Sequence, residues 1–393
     1  RQRQMCIRDR AYIAAMGAAS GLRCGTYTSP HIFKFNERIK VRGQAVSDQT
    51  ITDAFEQVES ARGDISLTYF EFTTLAGLLI LHQAELDYAV LEVGLGGRLD
   101  TVNLVDADCV VITPIGLDHQ DYLGPDIASI AREKAGVIRQ GVPVVCTGTE
   151  PPGEIIDIAR QHEAPVYIRG HDYDIDERQG IDGRLLRFSM GERSLVVSPP
   201  AMGGRHQLDN LAAALAALLI MNPDAQDRAP QISMSISDCS VAGRLQCVGT
   251  APEILLDVGH NELAANAIAG YLSETGKTNI TCVLGMLADK SAEAVALALG
   301  GVCSHWLCTA SDGVRGQSGE KLAQRIRFIL PGARIDDFET IAESMETAVS
   351  TTGVDDTILV FGSFTTVSAA ADWLNNHHEH QGLDAAKLTC NDD

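Results

Sequence analysis

Apolar and polar positions fall into alternating blocks along most of the chain, and their periods predict a repeated exchange of helix and strand. Small apolar residues from Ala11 to Ser20 predict a helix closed by Gly21, followed by a short strand at Cys24 to Tyr27. Glu37 to Val41 alternates as an edge strand does. Helices are expected at Asp48 to Ala61 and Thr73 to His82, and strands at Tyr88 to Glu92 and Cys109 to Thr113. A helix at Ile127 to Ala135, ended by Gly136, precedes a strand at Val144 to Cys146 opened by Pro143, and a helix runs from Pro152 to Gln161. Such alternation predicts an α/β fold with a mostly parallel sheet and helices on both faces.

The pattern changes between His171 and Pro199. Two turn dipeptides, Gln179-Gly180 and Asp182-Gly183, lie next to Leu185 to Met190 and Ser194 to Val197, which predicts a small antiparallel subsheet. An Ala/Leu helix follows at Asn210 to Ile220. After Ala242-Gly243-Arg244 a second βα series begins. Its strands are expected at Glu253 to Leu256, Ile280 to Leu284, His305 to Cys308 and Thr357 to Phe361. Its helices are expected at Glu262 to Leu272, Ala292 to Leu299, Gly319 to Ile326, Ile341 to Ser350 and Ser363 to Leu374. The boundary is placed near Cys247 to Pro252. This divides the chain into a leader (1–10), a central domain (11–247), a Rossmann-like α/β C-terminal domain (248–376) and a polar tail (377–393). No repeat of solenoid length is visible.

A chain of 393 residues with 45% hydrophobic residues can build two or three cores. No apolar run reaches the length of a membrane span, and the first ten residues lack the apolar stretch of a signal peptide. The ten cysteines are scattered without a Cys-x-x-Cys, which predicts a reduced, cytoplasmic protein. The 31 basic and 52 acidic residues give a net charge of −21, which argues against nucleic acid as a partner. An anionic substrate then needs a local positive island, for which Arg98, Lys134 and Arg244 are candidates together with metal ions.

Three blocks carry the candidate chemistry. In Leu91-Glu92-Val93-Gly94-Leu95-Gly96-Gly97-Arg98-Leu99-Asp100-Thr101-Val102-Asn103, an apolar strand delivers one carboxylate and then glycines to a strand end, where open α/β sheets bind ligands. Glu92 there suits a hard cation, since Mg²⁺ takes one or two carboxylates plus phosphate oxygens; it could also merely cap a turn. Asp118-His119 follows the next strand, and Lys134 sits in Arg132-Glu133-Lys134-Ala135-Gly136 on the helix after it. A structural His and a solvated Lys are the plain alternatives. The glycines do not make a dinucleotide fingerprint, because Leu99 stands where a third glycine belongs. Gly276-Lys277-Thr278 is not a P-loop either: Tyr271 replaces its first glycine, and the segment runs from helix into strand, so it reads as a polar turn. Asn261 is a good N-cap, Asp257 ends an apolar strand, and Thr68 to Glu71 sets two aromatic residues beside two polar ones. His377-His378-Glu379-His380 reads as part of the tail.

These blocks resemble the bacterial folylpolyglutamate synthase/dihydrofolate synthase family of the Mur ligase superfamily. Further matches run in order along the chain: Tyr27 to His31, Ser66 to Phe72, Ala242 to Arg244, Leu256 to Asn261, Gly285 to Lys290 and Gly362 to Phe364. The resemblance implies a P-loop-NTPase-like, Mur ligase-type central domain and a C-terminal domain that closes over the nucleotide. It implies an ATP-dependent ligase that joins L-glutamate to dihydropteroate or folates through an acyl phosphate, acting as a cytoplasmic monomer without nucleic acid or membrane. Mg²⁺ would be held by Ser29, Glu92 and His119, with Glu92, His119 and Lys134 as the catalytic group. Lys134 would be carbamylated by CO₂, which calls for a neutral amine. ATP would meet Asn210 at the base, Arg244 at the phosphates, Asp257 at the ribose, and His260 in the same turn. The pterin-bearing substrate would meet Thr68, Tyr69, Phe70, Glu71, Leu99, Asp100 and Thr101.

In the same family a glycine-rich loop ending Gly-Lys-Gly-Ser/Thr precedes the helix expected here from Ala11. Arg1 to Arg10 stand in that place without a glycine. The resemblance therefore implies a missing phosphate cradle, a missing pterin-side loop, and a truncated chain of little activity. Two other readings stay open: a Mur-type ligase acting on a UDP-sugar peptide, against which Ser66 to Phe72 and Ser29-Pro30-His31 speak, and an inactive remnant that binds pterin or a partner protein.

Overall fold

The computed structural model describes residues 2–117, 119–180, 183–200, 206–239, 241–311, 313 and 315–377. The chain forms two compact units that divide after Cys239. In the first, α1 (Gln2–Ala19) leads to β1 (Cys24–Tyr27), β2 (Ile39–Val41), β3 (Gln44–Ala45), α2 (Asp48–Arg62), α3 (Tyr69–Gln83) and β4 (Tyr88–Leu91). Then come β5 (Val110–Ile112), α4 (Gln120–Leu123), α5 (Ile127–Ala135), β6 (Val144–Cys146), α6 (Gly153–Gln161) and β7 (Val166–Ile168). β8 (Tyr173–Gly180), β9 (Gly183–Met190) and β10 (Arg193–Val197) form the antiparallel subsheet, and α7 (His206–Met221) and α8 (Ala229–Asp238) complete the unit.

The second unit holds β11 (Gln246–Thr250), β12 (Glu253–Asp257), α9 (Glu262–Glu274), β13 (Ile280–Leu284), α10 (Ala292–Leu299) and β14 (Cys303–Thr309). It continues with α11 (Gly319–Ile329), β15 (Arg334–Phe338), α12 (Ile341–Thr351), β16 (Thr357–Phe361) and α13 (Phe364–His377). Its sheet runs β11-β12-β16-β13-β14-β15, parallel except for β11. β12, β13 and β16 are almost wholly apolar because helices cover both faces, the condition under which parallel strands lose their alternation. A core of Leu255, Ile268, Leu284, Val295, Trp306, Leu322 and Phe361 fills one side of the sheet.

Several expectations are corrected in detail. Among the described residues the first unit's βα strands do not make one sheet. Beside the antiparallel β8–β10 set they form two separately bonded sets, β3-β2-β1-β4 with one parallel pair and β5-β6-β7 with two. The helix expected from Ala11 begins at Gln2, because Gln, Arg and Met in the leader are good helix formers and no proline or glycine stops them. The first half of the expected edge strand is a 3₁₀ turn, Phe35–Arg38, held by the Glu37 carboxylate, which accepts from the backbone N–H groups of Ile32, Phe33 and Lys34 at 2.7–2.8 Å. β11 belongs to the second unit by pairing antiparallel with β12, which moves the division ahead of Cys247. The polar β15 was hidden by its charged residues; only Ile335 is buried on it. The polar turn at Gly276 holds, with Lys277 paired to Glu253. His377 ends α13, whereas Asp118, the 181–182 turn, His378, Glu379 and His380 lie outside the described residues.

Candidate functional site

The parallel register of β1 and β4 sets Tyr27 opposite Leu91, so both strands end level. The residues just past those ends meet. Glu92 donates its N–H to the carbonyl of Tyr27 (2.9 Å), and its Oε2 accepts the backbone N–H of Ser29 (2.7 Å). Glu92 is only 6% exposed, and Ser29 is likewise buried. Arg10 of α1 forms an ion pair with the same carboxylate oxygen. α1 is docked on this edge: Tyr88 Oη donates to the carbonyl of Ile13 (2.6 Å), and Gly17 leaves room for the Tyr88 ring.

The glycines after Glu92 are explained by close packing. The Phe70 ring fills the place where a Cβ on Gly94 would stand. Gly96, at φ 68°, lies against Leu123 of α4. Gly97 runs so near α5 that a Cβ there would meet the carbonyl oxygens of Glu133 and Lys134 at 2.8 and 2.9 Å. The loop is fastened by Arg98 N–H to the Glu133 carbonyl (2.8 Å), an Arg98–Glu133 ion pair (2.9 Å), and Asn103 Nδ2 donating to the carbonyl of Arg98 (3.0 Å). Glu92, the helix that His119 opens and the helix that bears Lys134 are thus linked through one glycine loop. His119 itself adopts a left-handed conformation (φ 51°, ψ 38°) as the N-cap of α4, a backbone state uncommon for residues other than glycine. Arg98, expected as a cation for anionic substrates, instead spends its charge on Glu133.

The segment expected to meet a pterin is partly structural. Thr68 caps α3 by accepting from Glu71 N–H (3.2 Å), and Glu71 accepts from Thr68 N–H (2.6 Å), a complete capping box. That bond to the Thr68 backbone is the main reason the Glu71 carboxyl sits below its ordinary pKa. Asp100 ties the glycine loop to a 3₁₀ turn, Thr101–Leu104, by accepting from Leu95 N–H (2.8 Å) and Val102 N–H (2.9 Å). Leu99 projects outward, and Tyr69 is 64% exposed. A groove of about 410 Å³ opens beside Thr68 and Tyr69, with Phe55 and Phe72 in its wall.

Sequence reasoning missed Arg38 and gave His31 no role of its own. Arg38 is only 8% exposed and stands over the Phe35 ring (5.3 Å) and the Tyr69 ring (5.8 Å). Its Nε donates to His31 Nδ1 at 2.9 Å. Burial, and then the Arg38 charge, lower the His31 pKa, so the imidazole is neutral with its proton on Nε2. A signal existed: Phe35-Asn36-Glu37-Arg38 follows Ser29-Pro30-His31 closely enough to fold back on it.

On α7 in the same unit, Asn210 is fully buried, and among the described residues neither its Oδ1 nor its Nδ2 has a hydrogen-bond partner. The second unit has its own cluster where β12 ends. Asp257 accepts from Leu245 N–H (3.0 Å) and Gly259 N–H (2.7 Å), His260 Nδ1 lies 3.1 Å from the carbonyl of Val258, and Asn261 caps α9. Arg244, almost wholly buried, stands over the Phe364 ring at 5.5 Å.

A metal fits the first cluster only in one way. Among the described residues no group of three or more His, Cys, Asp and Glu side chains is gathered to hold an ion alone. The buried Glu92 carboxylate is bonded to the backbone of Ser29, a residue that carries a hydroxyl; a carboxylate and a hydroxyl are oxygen donors of the kind that suit a hard cation completing its shell with phosphate oxygens and water.

Residues 243–364 match the family described as Mur ligase, glutamate ligase domain. The chain is 37% identical over 351 residues to the dihydrofolate synthase/folylpolyglutamate synthase of Escherichia coli (strain K12), covering 89% of this chain and 80% of that protein. Its fold is similar to that of E. coli FolC in complex with DHPP and ADP, with a TM-score of 0.87 at 35% identity, covering 95% of this chain and 87% of the other. It is also similar to the bifunctional folylpolyglutamate synthase/dihydrofolate synthase of Yersinia pestis CO92 complexed with AMPPNP and Mn ion, with a TM-score of 0.84 at 36% identity, covering 94% and 86%.

Proposed function

Because the chain belongs to the dihydrofolate synthase/folylpolyglutamate synthase family, we propose that it ligates L-glutamate to dihydropteroate, to a folate, or to both, with ATP as second substrate. The observation that carries this reading is the Ser29–Glu92 contact at two level strand ends, joined by one glycine loop to the helix of Lys134. The acceptor carboxylate attacks the γ-phosphorus of ATP, and ADP leaves. The amine of glutamate then attacks the acyl phosphate, and the tetrahedral intermediate expels phosphate to leave an amide.

Glu92, Ser29 and His119 hold the divalent cation in this proposal. When bound, the ion offsets the charge between phosphate and carboxylate oxygens, which otherwise repel. The close packing of Gly96 against Leu123 and of Gly97 against the backbone of Glu133 and Lys134 supports giving His119 and Lys134 roles in the same site. Asn210 meets the adenine edge: its buried amide has one donor face and one acceptor face to offer a base. Arg244, Asp257 and His260 serve phosphates and ribose. Tyr69 and Phe70 line the heterocycle, while Thr68, Glu71 and Asp100 hold the backbone that presents it; Leu99 and Thr101 flank the acceptor. The protein works as a cytoplasmic monomer on small molecules. None of its described helices is long and apolar enough to cross a membrane.

Equilibrium titration tests the substrate class. Dihydropteroate or a reduced folate is expected to bind in the micromolar range, and a UDP-muramoyl peptide is expected not to bind. Binding of the UDP-linked peptide alone would replace this reading with a Mur-type one.

A further inference from the structure

Every substrate of a folate-type ligase is an anion, and the chain carries a net charge of −21. The binding region must therefore present cations that are not already spent. Arg98 is paired with Glu133, and Arg62, which lines the groove beside Tyr69, is held by Glu59 with bonds of 2.6 Å. Arg38 differs. Among the described residues no carboxylate pairs with it; the neighbouring Glu37 is engaged by three backbone N–H groups, and the hydrogen bond Arg38 makes goes to a ring nitrogen of His31. A buried guanidinium without an anion is costly to keep and calls for a ligand of opposite charge. Its position is also fixed. The guanidinium carbon lies 5.3 Å from the Phe35 ring and 5.8 Å from the Tyr69 ring, and Nε is anchored to His31, so the terminal N–H groups are the ones left for a ligand.

The local connectivity says what that fork meets. Glu92 contacts Ser29; His31 follows two residues later and receives Arg38; Arg38 covers Tyr69. Arg38 is therefore tied through His31 to the segment that contacts Glu92, and it touches the exposed aromatic ring directly. An acceptor with a flat heterocycle at one end and a reacting carboxylate at the other spans the same two points.

We propose that Arg38 grips the acceptor's carboxylate, orienting it between the Tyr69 ring and the Ser29–Glu92 contact. The inference rests on reading the site as that of a folate-type ligase. A planar guanidinium binds a carboxylate through two parallel N–H···O bonds, which fixes the oxygen that attacks and offsets its repulsion from the approaching phosphate.

The test compares two ligands on the full chain: dihydropteroate, and an analogue with hydrogen in place of its carboxylate. The unaltered chain should bind dihydropteroate about 10- to 100-fold more tightly than the analogue. Arg38→Gln should erase that preference and leave the analogue's affinity as it was. Retention of the full preference by Arg38→Gln overturns the proposal. So does an equal loss for both ligands in a variant whose near-UV circular dichroism is native, since that marks a packing role. If Arg38→Gln does not fold, Arg38→Lys decides: a reduced preference supports the grip, and an unchanged one overturns it. Failure of the unaltered chain to bind dihydropteroate or any folate would overturn the folate reading itself, an outcome separate from any behaviour of the variants.

Discussion

Replacing residues 2–10 with a strand and a Gly-Thr-Asn-Gly-Lys-Gly-Ser turn is expected to raise glutamate-dependent ATP turnover by at least roughly 10²-fold. The stretch 2–10 lies within one continuous helix, so past its first turn the backbone N–H groups bond along the helix and form no glycine-rich loop around a phosphate. A glycine-rich turn frees several N–H donors and adds a lysine, and removal of one preorganised donor from an active site typically costs about 10²–10³ in rate. The same exchange removes Arg10 from Glu92, where its guanidinium now competes with any cation for the carboxylate. The added strand has a place to go. β4 bonds only to β1 and β5 only to β6 among the described residues, so each offers a free edge. Release of inorganic phosphate, with and without glutamate, measures the gain. Equal turnover before and after the exchange would show that phosphate is bound by other parts of the chain.

The second large effect is expected from Glu92→Gln in that improved chain: turnover falls by about 10³-fold or more, and raising Mg²⁺ or Mn²⁺ does not restore it. The amide is the same size and its oxygen can still accept from Ser29 N–H, so the strand ends stay level and the fold persists. What is lost is the negative charge that holds a divalent ion. Thermal unfolding with and without Mn²⁺ separates the two: the metal-free transition should be close to that of the parent, and the Mn²⁺-dependent rise should vanish. A variant that keeps near-normal turnover at low metal would remove Glu92 from the metal site.

Much of this was legible in the sequence because local and global preferences agree. The helix over Ile127 to Ala135 and the strands at Cys24, Val144, Ile280 and Thr357 stand where apolar period and punctuation put them. The glycine loop after Glu92 was visible as a site, but its reason was not: the glycines answer to the backbone of α5 and to the Phe70 ring, which only the fold brings close. Arg38 was missed because a lone arginine in a polar stretch looks solvated; its burial comes from Phe35, three positions back in the same 3₁₀ turn, and from Tyr69, 31 positions ahead, which only the fold brings close. β15 was missed because its alternation is carried by charged residues at a sheet edge.

The two free strand edges in the first unit also govern how the molecule ages in solution. β4 and β5 are four and three residues long, among the described residues each has a strand neighbour on one side only, and Ala89 at the middle of β4 is open to solvent. Such an edge is a template for another chain, so association between copies at high concentration or on warming is expected to start there. The interior strands β12, β13 and β16 are bonded on both sides. In deuterated buffer, amides of β4 and β5 should therefore exchange well before those of the second sheet, and uniform exchange across all five strands would contradict it. Long storage would then cost the first unit its native form while the second still holds its own.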